Sequence, residues 1–182
     1  MADIMEKRAS EFQILEKQAL GILTDETEPN EDYTEGSIYI SSSPSFGDYT
    51  SWRVFADTHK TRFLLRRTVW QRIYDVQRFS DPLVGLKYGW NTDPTISVTI
   101  IELPSTRTAE LLSRARSFEI LEIGLDIRIK HAIVLDGTRW FVFVSNAFGN
   151  KSYLWNAVPP EWKPVVTWTE QTIAFLDSVN PN

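Results

Sequence analysis

The chain has 182 residues, 42% of them hydrophobic and 13% aromatic, enough apolar material for one core and too aromatic for a disordered chain. A net charge of −5 supplies no global field to draw nucleic acid or an anionic membrane. The absence of cysteine excludes disulfides, thiol catalysis and cysteine-bound zinc together, and two histidines, His59 and His131, are too few for an imidazole-built metal centre.

The first residues carry acids at Asp3 and Glu6 and no apolar core of a leader, and no window reaches the roughly 18 apolar residues of a membrane span. Cytoplasm is therefore the expected compartment. Residues 3–23 read as a helix, with Ile4, Phe12, Leu15, Ala19 and Ile22 on one stripe and charges on the other faces. Residues 24–36 hold Asp25, Glu26, Glu28, Glu31, Asp32 and Glu35 and no aliphatic side chain, the composition of a solvated acidic linker. That break makes the first helix either a member of the fold or an arm reaching a neighbour.

From residue 37 the pattern turns to β. Residues 37–40 form a short strand, 41–51 a Ser/Pro/Gly loop, and Trp52, Val54 and Ala56 alternate as in a second strand. A turn at 57–60 leads to a returning strand at 62–70, although Phe63, Arg67, Trp70 and Tyr74 also fit a helical period. Residues 95–103 are β-branched almost throughout and predict a strand that Pro104 stops; a helix capped by Ser105 or Thr106 then runs to Phe118. From Leu121 to Leu135 every second residue is apolar except His131, and Asp136-Gly137 predicts a two-residue hairpin turn that sets Ile133 beside Trp140. A strand at 153–158, a proline-rich stretch and a helix opened by the Thr167–Glu170 capping box complete the chain.

Glycine-rich phosphate fingerprints, the nucleophile elbow and the zinc-protease motif are absent from the sequence. His59 stands two residues from Asp57, and a carboxylate beside an imidazole is the minimum for a general base. An exposed turn histidine explains the same spacing, and His131 reads as a core histidine. Glu161-Trp162-Lys163 matches a nuclease triplet but lies between prolines, outside any strand. No cofactor and no metal are expected.

Residues 52–79 interleave Arg53, Lys60, Arg62, Arg66, Arg67, Arg72 and Arg78 with Trp52, Phe55, Phe63, Trp70, Tyr74 and Phe79. Arginine beside aromatic rings suits a protein interface or unstacked bases. Pairing of the arginines with the acidic run 25–35 is the plainer alternative, and net acidity counts against nucleic acid. Strand alternation sets Arg62, Arg66 and Trp70 on one face, expected outward, with Arg67 among inward Phe63, Leu65 and Val69. Trp155 and Trp162, near the prolines, are expected as exposed anchors.

The sequence thus predicts a single α+β domain over 1–182, a mainly antiparallel twisted sheet with helices on one face plus the N-terminal helix. The expected function is a non-catalytic interaction protein, such as an immunity-like protein, an adaptor or an assembly subunit, with Arg62, Arg66, Trp70, Trp155 and Trp162 contacting another protein. A homo-oligomer through residues 3–23 or the 129–144 hairpin is compatible with this reading, and nucleic acid and membrane are not expected partners. The alternative is a small hydrolase or a phosphate- or nucleic-acid-binding enzyme centred on His59, Asp57 and the basic segment.

Overall fold

A computed structural model describes residues 2–29, 32–80, 93–116, 137–146, 149–156, 158 and 162–179. The described elements are α1 (Ala2–Leu23), β1 (Tyr33–Pro44), β2 (Tyr49–Asp57), β3 (Phe63–Trp70), α2 (Arg72–Ser80), β4 (Ile96–Leu103), α3 (Ser105–Arg116), β5 (Thr138–Asn146), β6 (Gly149–Trp155) and α4 (Lys163–Ser178). The six strands form one antiparallel sheet in the order β4-β3-β2-β1-β5-β6, so the fold is α+β as the pattern predicts.

Strand alternation divides the side chains between two faces. On the first, Ile38, Ile40, Trp52, Val54, Ala56, Phe63, Leu65, Val142 and Val144 meet Leu112 and Ala115 of α3 and Val165, Trp168 and Leu176 of α4. Indole N–H groups pin these layers together. Trp168 Nε1 donates to the Leu111 carbonyl at 3.2 Å, and Trp52 Nε1 donates to Asp177 of α4 at 2.9 Å.

On the second face, Leu15, Ala19 and Leu23 of α1 pack with Trp70 and with Phe79 of α2. Spacings of four keep these three helix residues in one line. The line ends on Leu23, while Ile22 lies outward, so the stripe turns by one residue from the expected one. Helix α1 is therefore a member of the fold, packed on its own sheet.

Several boundaries differ from the sequence expectation for a common reason. Sheet hydrogen bonding on both edges of β1 draws Ser41–Pro44 into the strand, opposite Thr50 and Ser51 of β2 and Thr138–Phe141 of β5, and overrides the weak strand preference of serine. The turn shrinks to residues 45–48, where a side chain on Gly47 would set its Cβ 2.6 Å from Pro44 Cγ. Tyr33 and Thr34, inside the supposed linker, pair with Asp57 and Ala56 across a register shift.

Phe63–Trp70 does form a strand, and of the four residues that also fit a helical period only Tyr74 lies in a helix, α2, which starts at Arg72. Helix α4 starts at Lys163 with Pro164 in its first turn, so Thr167 and Glu170 lie inside it and cap nothing. The segment 121–136 with His131, the first arm of the expected hairpin, and Glu161 lie outside the described residues. Strand β5 has β1 on one edge and β6 on the other, and Trp140 takes Ser42 and Trp155 as cross-strand neighbours, not Ile133.

Asp75 fixes the corner where α2, β3 and β4 meet. Fully buried, it accepts hydrogen bonds from Trp70 Nε1 at 2.8 Å, Thr95 N at 2.8 Å and Thr95 Oγ1 at 2.7 Å, and pairs with Arg78 at 3.0 Å. Removing the carboxylate strands an indole N–H and a guanidinium inside the protein. Asp75→Ala is expected to cost about 3 kcal/mol or more of unfolding free energy. Urea denaturation followed by tryptophan fluorescence measures it; a loss within about 1 kcal/mol would mean the corner is held by apolar packing alone.

Candidate functional site

The second face of the sheet carries the arginines. Tyr39 of β1, Arg53 of β2 and Arg66 of β3 are cross-strand neighbours in one row. Two arginines side by side repel each other, and among the described residues no acid of the sheet pairs with them. The neutralising groups come from the end of α1.

A helix C-terminus leaves carbonyl groups without intrahelical donors and carries partial negative charge. Helix α1 has no basic residue in its last turn, and the sheet supplies the missing donors. The Leu23 carbonyl accepts from Ser51 Oγ at 2.9 Å and from Tyr39 Oη at 3.3 Å. The Thr24 carbonyl accepts from Arg53 Nη2 at 3.2 Å. Arg66 Nη1 donates to the Thr27 carbonyl at 2.9 Å and to Asp25 Oδ2 at 3.1 Å, and Nη2 donates to the Asp25 carbonyl. Aromatic rings lie under both cations, Tyr39 beneath Arg53 at 4.4 Å and Phe55 beneath Arg66 at 5.2 Å. Burial pulls Arg53 below its ordinary basicity, partly offset by Tyr39 and Glu26, and burial pushes the Tyr39 phenol up.

The face assignment made from the sequence is thus reversed. Arg66 is 12% exposed and bound to the acidic segment, whereas Arg67, 42% exposed, reaches outward to Asp177 at 3.2 Å. The physical reason is α1: it covers the face that alternation alone left open. Trp70 is fully buried beneath that helix. Trp155 is buried too, stacked on Trp140 and edge-on to Trp162, which is itself half-buried against Tyr153. Of the five expected partner residues only Arg62 is well exposed, so they do not make one surface.

The His59 pair is not assembled either. His59 is exposed in the β2–β3 turn, and Asp57 spends its oxygens on that turn, accepting from Thr61 N at 2.6 Å, Thr61 Oγ1 at 2.8 Å and Arg62 N at 3.1 Å. Burial opposes the Asp57 charge, but these bonds and the Arg62 guanidinium outweigh it and hold the carboxyl below its usual range. Among the described residues no three His, Asp or Glu side chains gather to hold a metal, and no helix is long and apolar enough to cross a membrane.

Beyond the end of α1 no described element covers this face of the sheet. A cleft of about 350 Å³ lies over β1, β5 and β6, walled by Thr24 and lined by Tyr39, Ser41, Ser43, Arg139, Phe141 and Leu154. Tyr39 and Phe141 meet at 5.9 Å, and Leu154 is about half exposed. Arg139 is exposed and has no ion pair or hydrogen bond among the described residues. This is an arginine–aromatic face; Arg139 and Phe141 enter the sequence reading only as part of the 129–144 hairpin, and Tyr39 and Leu154 are not among its expected partner residues. The signal was present as period-two spacing, Tyr39-x-Ser41-x-Ser43 against Arg139-x-Phe141-x-Phe143.

No protein-family model matches the chain, and no curated protein or solved structure shows significant similarity to it.

Two outcomes are expected of the arginine row. Arg66→Ala should cost about 2–4 kcal/mol, because it leaves the Asp25 and Thr27 carbonyls and Asp25 Oδ2 without their guanidinium donor. Arg67→Ala, which loses only a surface pair, should cost less than about 1 kcal/mol; equal losses in chemical denaturation would contradict the burial difference.

The second outcome concerns pH. Asp25 is held below its ordinary 3.8 by bonds from the Thr27 hydroxyl and N–H and by Arg66 and Arg53, against the opposing effect of burial. A depressed folded-state value contributes stability above the unfolded value, and that contribution is lost as pH falls through the folded one. Asp57 acts in the same direction. Unfolding free energy should therefore fall as pH drops below about 4, and Asp25→Asn should flatten that decline. A decline unchanged by the substitution would remove Asp25 from the account.

Proposed function

We propose that this chain is a non-catalytic interaction protein, of the adaptor or assembly-subunit kind, whose partner polypeptide docks on the open half of the sheet over β1, β5 and β6. The observation that carries the reading is Arg139, a cation with no counter-charge among the described residues, set beside Tyr39, Phe141 and Leu154. A rigid sheet presenting one guanidinium among aromatic and aliphatic side chains has the composition of an interface centre. The hydroxyls of Thr24, Ser41 and Ser43 at its margin offer hydrogen bonds that tolerate water. The chemistry favours a partner segment with a carboxylate flanked by apolar residues.

The enzyme reading draws no support from the geometry around His59, whose neighbouring carboxylate is committed to the turn. Arg139→Glu is expected to weaken partner retention by about 2 kcal/mol or more, at least tenfold, in a native-lysate pull-down quantified by mass spectrometry. His59→Ala should leave the same partner recovered. Unchanged retention with Arg139→Glu, in a protein of unchanged melting temperature, would remove the open face from consideration. A defined catalytic rate lost on His59→Ala would restore the enzyme reading.

A further inference from the structure

Among the described strands β4 and β6 end the sheet, and their outer edges differ. Strand β6 begins Gly149-Asn150-Lys151, residues that weaken a strand or place a charge on its edge. Strand β4, Ile-Ser-Val-Thr-Ile-Ile-Glu-Leu, has no proline, glycine or lysine, and its pairing with β3 runs from Ile96 to Leu103 without a bulge. It is flanked by Pro94 and Pro104, which limit any added pairing to the residues between them. On the second face of the sheet, Val98 and Ile100 are each about half exposed. No described element covers the outer edge of β4.

We propose that β4 is a self-association edge, where a second copy of this chain adds its own β4 in antiparallel register about a two-fold axis through Thr99. The strand is self-complementary about that residue. Thr99 meets its own counterpart, and Val98 meets Ile100 of the second copy in both directions, so the two exposed apolar side chains of each chain cover the pair on the other. Charge agrees with this direction. An antiparallel mate carries Asp93, just before the strand, toward Arg107 in the first turn of α3, just after it, at both ends of the seam. Arg107 is well exposed, and among the described residues its one ion pair is a surface contact with Glu110 at 3.3 Å. A parallel mate would pair like ends and leave Val98 against itself. An unrelated extended peptide would satisfy the backbone edge but would have no reason to match Val98 and Ile100 in reverse order. This assignment is independent of the cleft over β1, β5 and β6, which lies on the same face at the opposite end of the sheet.

The cysteine-free sequence makes the test direct, because any introduced thiol is the only one. Light scattering on the eluting full chain at about 100 µM should read a mass twice 21.0 kDa, and Val98→Lys should return it to the single-chain value with unchanged circular dichroism. Thr99→Cys should cross-link to itself in an oxidised-glutathione buffer, since directly opposed side chains stand within disulfide reach. Ser97→Cys should not, because its counterpart lies four residues, about 13 Å, along the strand. The cross-linking pair keeps the proposal falsifiable should Val98→Lys fold poorly. A chain that is monomeric at that concentration, a dimer insensitive to Val98→Lys, or Ser97→Cys linking in place of Thr99→Cys would each overturn it. So would a monomer that takes an extended peptide at this edge.

Discussion

Two arginines on neighbouring strands of one sheet face are a liability that the rest of this structure is arranged around. Arg53 and Arg66 cannot be left buried without counter-charge, and cannot be left open without sacrificing the packing of Trp70 and Phe55. Helix α1 resolves the conflict by delivering the electronegative end of its backbone, with Asp25 just beyond it, onto both guanidinium groups. The position of α1 along the sheet is therefore set by electrostatics at its last turn and by apolar packing only upstream of that. The same contacts explain why the helix runs over β3 and ends where β2 meets β1, short of β5 and β6.

The two faces of the sheet consequently have different characters. One is closed by α3 and α4 over a continuous apolar layer, with Trp52, Trp168 and Asp177 tying the layers by directed bonds. The other is closed over β2 and β3 by α1 and α2 and is covered by no described element over β1, β5 and β6, with Tyr39 at the boundary between the halves. Tyr39 belongs to both sides of it: its hydroxyl binds the helix end and its ring lines the cleft. The lining of the cleft and the seating of the helix thus share a side chain.

How far the sequence reveals this depends on whether a signal is local. Period-two runs such as 95–103 and the apolar stripe of α1 are legible because each element carries its own pattern. The acidic composition of 24–36 is equally plain, but its partner is not, since Asp25 and Arg66 lie 41 positions apart and composition alone does not choose between solvent and a sheet. For the same reason the faces of Arg66 and Arg67 came out inverted. Alternation separates the two residues correctly and says nothing about which side a distant helix will cover. The serines of β1 show the converse failure, where local propensity argues for a loop and neighbours on both edges impose a strand. Arg139 was hidden in plain view, because attention to arginine density favours 52–79 over a single cation spaced among phenylalanines.

The sheet order has a temporal consequence. Strands β1 to β4 follow one another as a meander, and β5 and β6 form a separate local hairpin, so nearly every strand pair joins sequence neighbours. The exception is the β1–β5 seam, where Ser45 and Gly137, 92 positions apart, are bonded through both the N–H and the hydroxyl of the serine. Closing a loop of that span costs conformational entropy that no shorter contact can offset in advance. The β1–β5 seam, the longest-range strand pairing among the described residues, therefore carries the largest loop-closure cost, and until it forms the edge of β1 that takes β5 has no strand partner and is open to intermolecular mispairing.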